Sequence, residues 1–188
     1  MLISLIGMPG GGKSTVGRQL ARRLGVAFND SDAVIERRIG CSIREFFDRE
    51  GEERFRDVEQ EVIAELVASS KGVLATGGGV VLREANRDTL HRGSSVVYLR
   101  SSPEELFRRL RHDTNRPLLQ VSDPMARLRS LFQVRDPLYR SIAHYVIETG
   151  RPSVPNLINM LLMQLELAGL IPMDTVPSPV DGAEAPAH

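Results

Sequence analysis

The chain contains no tryptophan and only one cysteine, Cys41, among its 188 residues. A single cysteine excludes an internal disulfide framework and any metal site built from several thiolates. We therefore expect Cys41 to be a buried or half-buried packing residue. The four histidines also lack the spacing of metal ligands. Neither charge is in excess, because 24 basic residues balance 24 acidic ones. This balance argues against a nucleic-acid partner or an anionic membrane surface.

Long hydrophobic runs are absent too. The longest apolar stretch, residues 157–170, includes Asn159, Gln164 and Glu166 and is too short to span a bilayer. An apolar run begins almost at Met1, so we expect no signal peptide. We therefore expect a cytoplasmic protein with no membrane partner. The 41% hydrophobic content is enough for one substantial core, and we expect one domain.

Lysine is scarce, since Lys13 and Lys71 are the two lysines among 24 basic residues and the other 22 are arginine. Lys13 lies in residues 7–14, GMPGGGKS, which match the pattern G-x-x-x-x-G-K-[ST] completely. An apolar run precedes this segment at 2–6, and a helical pattern follows it at 14–24. Strand, glycine loop and helix in this order predict a phosphate-binding loop rather than an ordinary glycine turn.

Each residue type in the loop has a chemical reason to be there. The backbone N–H groups of Gly10, Gly11 and Gly12 can turn inward around phosphate oxygens, and the helix N-terminus adds partial positive charge. Lys13 would reach the β- and γ-phosphates, and the Ser14 hydroxyl would ligate Mg²⁺. The loop therefore predicts a bound nucleotide with its metal ion.

Short apolar runs alternate with helical patterns along the chain. The runs lie at 2–6, 26–28, 73–76, 96–99 and 144–147, and the helical patterns at 14–24, 32–39, 42–49, 52–69, 83–90, 103–111, 125–134 and 154–168. This alternation predicts an α/β fold in which helices cover both faces of a parallel sheet. Ligands bind beyond the carboxyl ends of such strands, so functional residues should follow the apolar runs.

Two segments at predicted strand ends meet that expectation. Residues 30–32, DSD, follow the second run, and their two carboxylates could divide the work. One would hold waters of Mg²⁺, and the other would bind substrate hydroxyls and orient the attacking oxygen. The alternative is a solvated turn with Asp32 as the N-cap of the next helix. Residues 77–79, GGG, follow the third run and indicate close approach of the backbone to a ligand.

Three arginines stand in local motifs that suggest a role, although each could be an ordinary surface residue. Arg56 lies three residues before Glu59 on a predicted helix, where the carboxylate could steer the guanidinium. Arg135 ends a predicted helix before the last strand. Two such guanidinium groups would suit a substrate carboxylate, which arginine binds bidentately. Arg116 lies in the polar segment 112–124, which predicts a mobile lid that could bring this guanidinium to the γ-phosphate.

In the order and spacing of these segments, the chain resembles the shikimate kinase family along roughly residues 2–168. The resemblance rests on residues 7–14, 30–32, 42–47, 51–59, 77–79, 116–119, 135 and 137–139. It implies a P-loop three-layer fold like that of nucleoside monophosphate kinases, with a five-stranded parallel sheet flanked by helices and a mobile lid. It also implies transfer of the γ-phosphoryl group of ATP to the 3-hydroxyl of shikimate, in the chorismate pathway to aromatic amino acids.

The resemblance also implies roles for individual residues. Lys13, Asp32 and Arg116 are expected to be catalytic, with Asp32 as the base or orienting group, and Asp30 is expected to support Mg²⁺ through water beside Ser14. The implied ATP-binding residues are Gly10, Gly11, Gly12, Lys13, Ser14, Thr15, Arg109 and Arg116. The implied substrate-binding residues are Asp32, Arg56, Gly78, Gly79, Arg135, Phe47 and Phe55.

The expected organisation is a kinase domain over residues 1–170, with a lid at about 112–124, followed by a disordered tail at 171–188 that is rich in proline and small polar residues. By analogy with the family we expect a monomer that binds shikimate and ATP. Two alternatives remain open at this point. One is a related small-molecule kinase of the same fold, of the gluconate type, and the other is a non-catalytic module that senses a ligand.

Overall fold

The computed structural model describes residues 1–111, 121–150 and 153–172. Its strands are β1 (Leu2–Ile6), β2 (Phe28–Asp30), β3 (Gly72–Ala75), β4 (Ser95–Arg100) and β5 (Tyr145–Glu148). They form one five-stranded sheet in the order β2-β3-β1-β4-β5, and every neighbouring pair is parallel. The predicted parallel sheet is confirmed, and each strand lies within two residues of its predicted position.

The helices connect these strands on both faces of the sheet. They are α1 (Lys13–Leu24), α2 (Ser31–Ile39), α3 (Ile43–Glu50), α4 (Glu52–Ser69), α5 (Glu84–Gly93), α6 (Pro103–Leu110), α7 (Pro124–Ile142) and α8 (Val154–Leu167), with a short 3₁₀ turn at Val80–Leu82. The doubly covered sheet explains why the strands read as continuous apolar runs rather than as alternating patterns. The predicted α/β fold is therefore confirmed.

Strand β1 divides the core into two clusters. Leu2 and Ile6 face a cluster that includes residues of α5, α6 and α7, whereas Ile3 and Leu5 face a cluster built with α1 and α8. The apolar residues of α8 are buried in this second cluster, as its pattern predicted. Ile171 is also buried there, so the packed part of the chain reaches at least to that residue.

Helix α7 extends further than the sequence pattern predicted. The expected helix ended near residue 134, but the observed helix continues through Pro137 to Ile142. A proline inside a helix costs about 3 kcal/mol because it removes one hydrogen bond and crowds the preceding turn. Beyond it, Tyr139 is 0% exposed and Ile142 is 5% exposed. Burying two such side chains contributes about 1.5–3 kcal/mol each, which is enough to offset the proline.

A smaller cluster lies beneath α2, α3 and α4. Its buried members are Ile35, Phe46, Phe55 and Val62, and Cys41 packs against them half-buried, as expected. These three helices follow β2 directly and therefore stand beside the carboxyl edge of the sheet. In the described part of the chain, no helix combines the length and the apolar character that crossing a membrane would need.

The strand order decides which loops meet. Because β2, β3 and β1 are adjacent, the segments that follow their carboxyl ends are neighbours. These segments are the glycine loop after Ile6, the acidic segment around Asp30, and the three glycines that begin at Gly77. The three motifs that the sequence indicated therefore lie at one edge of the sheet.

Candidate active site

The glycine loop joins β1 to α1 through backbone conformations that favour glycine. Gly10 and Gly12 have φ angles of 79° and 82°, in the left-handed region where a side chain would be strained. Gly12 is the N-cap of α1 and has no side chain to cap the helix. The first N–H groups of the helix are therefore directed toward the loop, as an anion site requires.

The side chain of Lys13 crosses beneath this loop. Its Nζ donates hydrogen bonds of 2.8 Å to the carbonyl oxygens of Gly7 and Met8, and the residue is only 8% exposed. An ammonium group that is tied to two loop carbonyls places a fixed positive charge at the floor of the cradle.

Asp30 connects the loop to the acidic segment. Its Oδ2 accepts a hydrogen bond of 2.5 Å from the Ser14 hydroxyl, and its Oδ1 accepts one of 3.0 Å from the backbone N–H of Asp32. The N-cap of α2 is therefore Asp30, so the alternative reading of Asp32 as the cap was wrong. The Ser14 and Asp30 oxygens form the kind of hard donor pair that suits Mg²⁺.

The carboxylate of Asp32 lies in an unfavourable setting for a negative charge. Burial raises its pKa from the usual 3.8 to about 6, and the nearby charges of Asp30 and Glu59 act in the same direction. Lys13 opposes them and lowers the pKa. A carboxylate that titrates near neutral pH can accept a proton from a hydroxyl and release it again.

Two cavities meet at Asp32. The first, of about 250 Å³, is lined by the glycine loop together with Lys13, Ser14 and Asp30. The second, of about 380 Å³, is lined by groups from α4 and α7, including Arg56 and Arg135. The two cavities share four lining residues, which are Pro9, Asp32, Gly77 and Gly78. A ligand in the second cavity would therefore face phosphates in the first across the Asp32 carboxylate.

Arg56 is held by two acids of its own helix. It is 9% exposed, and its Nη1 donates a hydrogen bond of 2.8 Å to Glu59, which is 1% exposed. Its Nη2 lies 3.4 Å from Glu52. The predicted steering of Arg56 by Glu59 is confirmed. Burial raises the pKa of Glu59 even though the Arg56 charge lowers it. Within the described residues, the buried Nε of Arg56 has no hydrogen-bond partner.

Arg135 lines the same cavity from α7. Burial raises the pKa of Tyr139, one helical turn further along, and the charge of Arg135 lowers it. The Tyr139 hydroxyl donates a hydrogen bond of 2.5 Å to the carbonyl oxygen of Gly78. Tyr139 belongs to a segment that carries the family resemblance, but its contact with Gly78 was not predicted, because only the folded chain brings residue 139 to residue 78. Arg127 and Leu131 also line this cavity, at four-residue spacings on the same helix face as Arg135.

The three glycines make room for three neighbouring side chains. A Cβ on Gly77 would stand 2.7 Å from the Asp32 carboxylate, and one on Gly79 would stand 2.3 Å from the Arg56 guanidinium. A Cβ on Gly78 would stand 2.6 Å from the ring of Pro9. None of the three has a positive φ, so space rather than backbone conformation explains the glycines here.

The two predicted aromatic residues have different positions. Phe55 lines the second cavity, whereas Phe47 is not among the lining residues in the described ranges. Phe47 packs against the ring of Phe55 with a centroid distance of 4.7 Å. Both rings lie near the Arg56 guanidinium, at 5.1 Å for Phe55 and 5.9 Å for Phe47, so Phe47 supports the wall from behind.

Arg109 lines a third cavity, which also borders the glycine loop. This cavity, of about 360 Å³, is also lined by Gly11, Gly12 and Thr15. Thr149, Ser153, Val154 and Leu157 complete this wall, and sequence reasoning did not find them. Arg116 and most of the predicted lid lie outside the described residues, as do residues 173–188 of the predicted tail.

Comparisons with known proteins agree with this geometry. The family model described as shikimate kinase matches residues 9–166. A shikimate kinase of Paracidovorax citrulli is 61% identical over 180 residues, which cover 94% of this chain and 96% of the relative. One of Burkholderia thailandensis is 56% identical over 169 residues, which cover 90% and 92%.

Solved structures that resemble this chain include shikimate kinases. The shikimate kinase of Acinetobacter baumannii in complex with shikimate has a TM-score of 0.83 and 46% identity, and the match covers 89% of this chain and 93% of that chain. A gluconokinase of Sinorhizobium meliloti has a TM-score of 0.59 at 20% identity, covering 88% and 91%, and shares the fold alone. By sequence and by structure, the chain belongs to the shikimate kinase family.

Proposed function

We propose that the two joined cavities transfer the γ-phosphoryl group of ATP to the 3-hydroxyl of shikimate, with Asp32 at the boundary between them. The family supplies the reaction class, which is ATP-dependent phosphorylation of a hydroxyl group and belongs to aromatic amino-acid biosynthesis. The single observation that carries the residue assignment is that Asp32 lines both cavities.

The phosphate side of the site neutralises charge. Lys13 would contact the β- and γ-phosphates, and the N–H groups of Gly10, Gly12 and Ser14 would bind their oxygens. The N–H of Gly11 donates to the carbonyl oxygen of Met8, so Gly11 would border the nucleotide through its backbone without this bond. Ser14 and Asp30 would hold Mg²⁺, with Asp30 acting through water, because their paired oxygens are suitable hard ligands. When bound, Mg²⁺ supplies further neutralisation of the phosphate charge.

The third cavity would bind the nucleoside part of ATP. Arg109 and Thr15 line it next to the glycine loop, so we assign the adenosine part of ATP to this cavity. Thr149 and Ser153 add polar groups to the same wall. Arg116 remains our candidate for covering the γ-phosphate from the lid.

The acceptor side recognises an anionic hydroxy acid. Arg56 and Arg135 would bind the carboxylate of shikimate, because both line the second cavity, one from α4 and the other from α7. Phe55 would cover one side of the ring, backed by Phe47. Gly78 and Gly79 would contact it through the backbone. A gluconate-type acceptor also has a carboxylate, so the acceptor must be tested directly.

Asp32 would orient the 3-hydroxyl and accept its proton. As the hydroxyl oxygen forms its bond to the γ-phosphorus, the bond from phosphorus to the β–γ bridging oxygen breaks and ADP leaves. The products are shikimate 3-phosphate and ADP. The pKa of about 6 leaves Asp32 mostly ionised at pH 7 and therefore able to take the proton.

A coupled assay of ADP release tests the proposal. Shikimate, quinate and gluconate would be compared as acceptors at saturating ATP, with and without Mg²⁺. We expect shikimate to give the highest kcat/KM and the reaction to require the metal. A higher kcat/KM with gluconate would refute the acceptor assignment. Monomeric state and cytoplasmic location remain predictions, which sedimentation and cell fractionation can test.

A further inference from the structure

The carboxylate of Asp136, on helix α7, accepts hydrogen bonds from two residues of strand β4. Its Oδ1 accepts one of 2.7 Å from the Tyr98 hydroxyl and one of 3.0 Å from the Nε of Arg100. Its Oδ2 accepts one of 3.1 Å from Arg140, one turn further along α7. In the described ranges, Asp136 is not among the residues that line the second cavity. It therefore joins α7 to the sheet without reaching the space proposed for the acceptor.

Helix α7 lacks one of its own hydrogen bonds at this point. Pro137 has no N–H to donate to the carbonyl oxygen four residues earlier, and its ring crowds the preceding turn. The helix itself therefore holds the turn that carries Arg135 less firmly. Side-chain bonds to the rest of the protein lie on both sides of the proline, since Asp136 bonds to β4 and Tyr139 donates to the carbonyl oxygen of Gly78.

We propose that Asp136 is a positioning residue, which anchors α7 to β4 so that the neighbouring Arg135 is held at the acceptor. The inference rests on the proposed function, because that function gives Arg135 its contact with the shikimate carboxylate. Consecutive residues lie about 100° apart around a helix, so one side chain can bond to the sheet while the other lines the second cavity. Asp136 itself has no contact with substrate and no part in proton transfer.

Arg100 makes the anchor part of a larger network. Its guanidinium carbon lies 5.1 Å from the ring centroid of Phe132, one turn before Asp136, and its Nη1 donates a hydrogen bond of 3.2 Å to Glu148 of β5. Burial opposes a charge on Asp136, but the hydrogen bonds from Tyr98 and Arg100 outweigh burial and hold the pKa of this carboxyl below its usual range. The carboxylate therefore stays ionised at neutral pH and continues to accept both bonds from β4.

Loss of the anchor would affect one substrate and not the other. Arg135 could shift with its turn of helix, and bidentate binding of a carboxylate depends on the placement of the guanidinium. The hydrogen bonds of Lys13 to two carbonyl oxygens lie within the glycine loop, away from α7. We therefore expect an effect on acceptor binding that leaves ATP binding unchanged.

The first experiment compares Asp136→Ala with Asp136→Asn. Alanine removes all three hydrogen bonds, whereas asparagine keeps an oxygen that can accept from Tyr98 and Arg100. We expect Asp136→Ala to raise the KM for shikimate about tenfold, while the KM for ATP and kcat stay within about twofold. Asp136→Asn should raise the shikimate KM by no more than about threefold. An unchanged shikimate KM in Asp136→Ala, or an equal rise in the KM for ATP, would overturn the inference.

Leu165→Ala is the control for a general loss of stability. Leu165 is fully buried in the cluster built with α1 and α8, rather than in the one that includes residues of α7. We expect it to lower the Tm at least as much as Asp136→Ala does, while both KM values stay within about twofold. A rise in the shikimate KM equal to that of Asp136→Ala would mean that loosening of the fold explains the effect, and the inference would be wrong.

Tyr98→Phe replaces Asp136→Ala if that variant does not fold. It removes one of the two bonds between Asp136 and β4 and leaves the one from Arg100. We expect it to raise the shikimate KM about threefold and to leave the KM for ATP unchanged. An unchanged shikimate KM in this variant would also overturn the inference.

A double-mutant cycle with Arg135→Ala tests whether Asp136 acts through Arg135. In that background, Asp136→Ala should change the shikimate KM by less than about twofold. An undiminished effect would overturn the inference. If Arg135→Ala alone leaves the shikimate KM unchanged, the proposed carboxylate contact fails. If Arg135→Ala raises it and Asp136→Ala does not, only the role of Asp136 fails.

Discussion

Asp30 caps helix α2 by accepting a hydrogen bond from the backbone N–H of Asp32, and this bond separates the tasks of the two carboxylates. The Oδ1 atom of Asp30 accepts the hydrogen bond from the backbone N–H at the start of α2, and its Oδ2 atom accepts one from the Ser14 hydroxyl. The carboxylate of Asp32 is thereby left to line both cavities. The charge of Asp30 also raises the pKa of Asp32, so the two aspartates are coupled electrostatically as well as through the backbone.

Asp30→Asn tests the metal role without removing the cap. Asparagine caps helices as well as aspartate does, so we expect the free energy of unfolding to change by less than about 1 kcal/mol. The lost charge should raise the Mg²⁺ concentration needed for half-maximal activity by about tenfold. Titration of activity with Mg²⁺ at saturating substrates measures this value. The exposed Asp48→Asn is the control, and an unchanged Mg²⁺ dependence in Asp30→Asn would remove Asp30 from the metal site.

Asp32→Asn should abolish most of the turnover. Asparagine keeps the shape of the side chain but cannot accept the hydroxyl proton, so we expect kcat to fall by about 10²–10⁴-fold. In the wild-type protein, kcat/KM for shikimate should rise with pH through about 6, as Asp32 ionises. Steady-state rates between pH 5 and pH 8 (about one step per half unit) measure both effects. Near-normal turnover in Asp32→Asn would exclude Asp32 as the base.

The same substitution should stabilise the fold at neutral pH. Because the folded-state pKa is raised from 3.8 to about 6, the folded protein binds more protons than the unfolded chain in this range. Stability therefore falls as pH rises through the window, and the ionised group opposes folding by up to about 3 kcal/mol. Urea unfolding should show Asp32→Asn more stable by about 1–3 kcal/mol at pH 7, with the gain shrinking toward pH 4. A gain that is independent of pH would contradict this explanation.

Arg56→Ala should damage both stability and acceptor binding, and a second substitution can separate the two effects. Glu59 would remain buried without its partner, which costs about 3–5 kcal/mol. Adding Glu59→Gln should restore most of the stability but leave the KM for shikimate raised at least about tenfold. Chemical unfolding and steady-state kinetics measure the two quantities. The exposed Arg54→Ala serves as the control, and recovery of the KM in the double variant would exclude Arg56 as a carboxylate ligand.

Local patterns were enough to predict the strand, the glycine loop and the helix around Lys13. The glycine loop, its lysine and the helix that follows are contiguous in the sequence, so their geometry is decided within about 20 residues. The positions of β1, β3 and β4 were predicted for a similar reason, because each of these strands is a buried apolar run between helices. The N-cap position of Asp30 was not predicted, because strand β2 ends at Asp30, two residues after the end of the apolar run at 26–28.

Contacts between distant segments could not be read in the same way. Tyr139 reaches Gly78 across 61 positions of the chain, and its phenol resembles any other core aromatic in the sequence. Helix α7 continues past Pro137 because of burial that only the folded core provides. Thr149 and Ser153 line a cavity with the glycine loop because β5 lies at the edge of the sheet. In each case tertiary packing outweighed the local signal.

The glycines at 77 and 79 provide a matched pair of substitutions. The three glycines were expected to allow close approach of a ligand, but a Cβ at Gly77 or Gly79 would first meet a protein side chain. Gly77→Ala would push against the Asp32 carboxylate, and Gly79→Ala would push against the Arg56 guanidinium. A displacement near 1 Å in a catalytic group can cost about 10²-fold in rate.

We therefore expect the two variants to differ in which kinetic constant changes. Gly77→Ala should lower kcat by about 10–10²-fold, because it moves Asp32, which we propose as the proton acceptor. Gly79→Ala should raise the KM for shikimate by about tenfold while kcat changes less, because it moves a binding group. Neither position has a positive φ, so alanine adds no backbone strain that would obscure the comparison. Equal changes in kcat and KM from both substitutions would mean that the segment shifts as a unit, and the separate pairing of Gly77 with Asp32 and of Gly79 with Arg56 would be wrong.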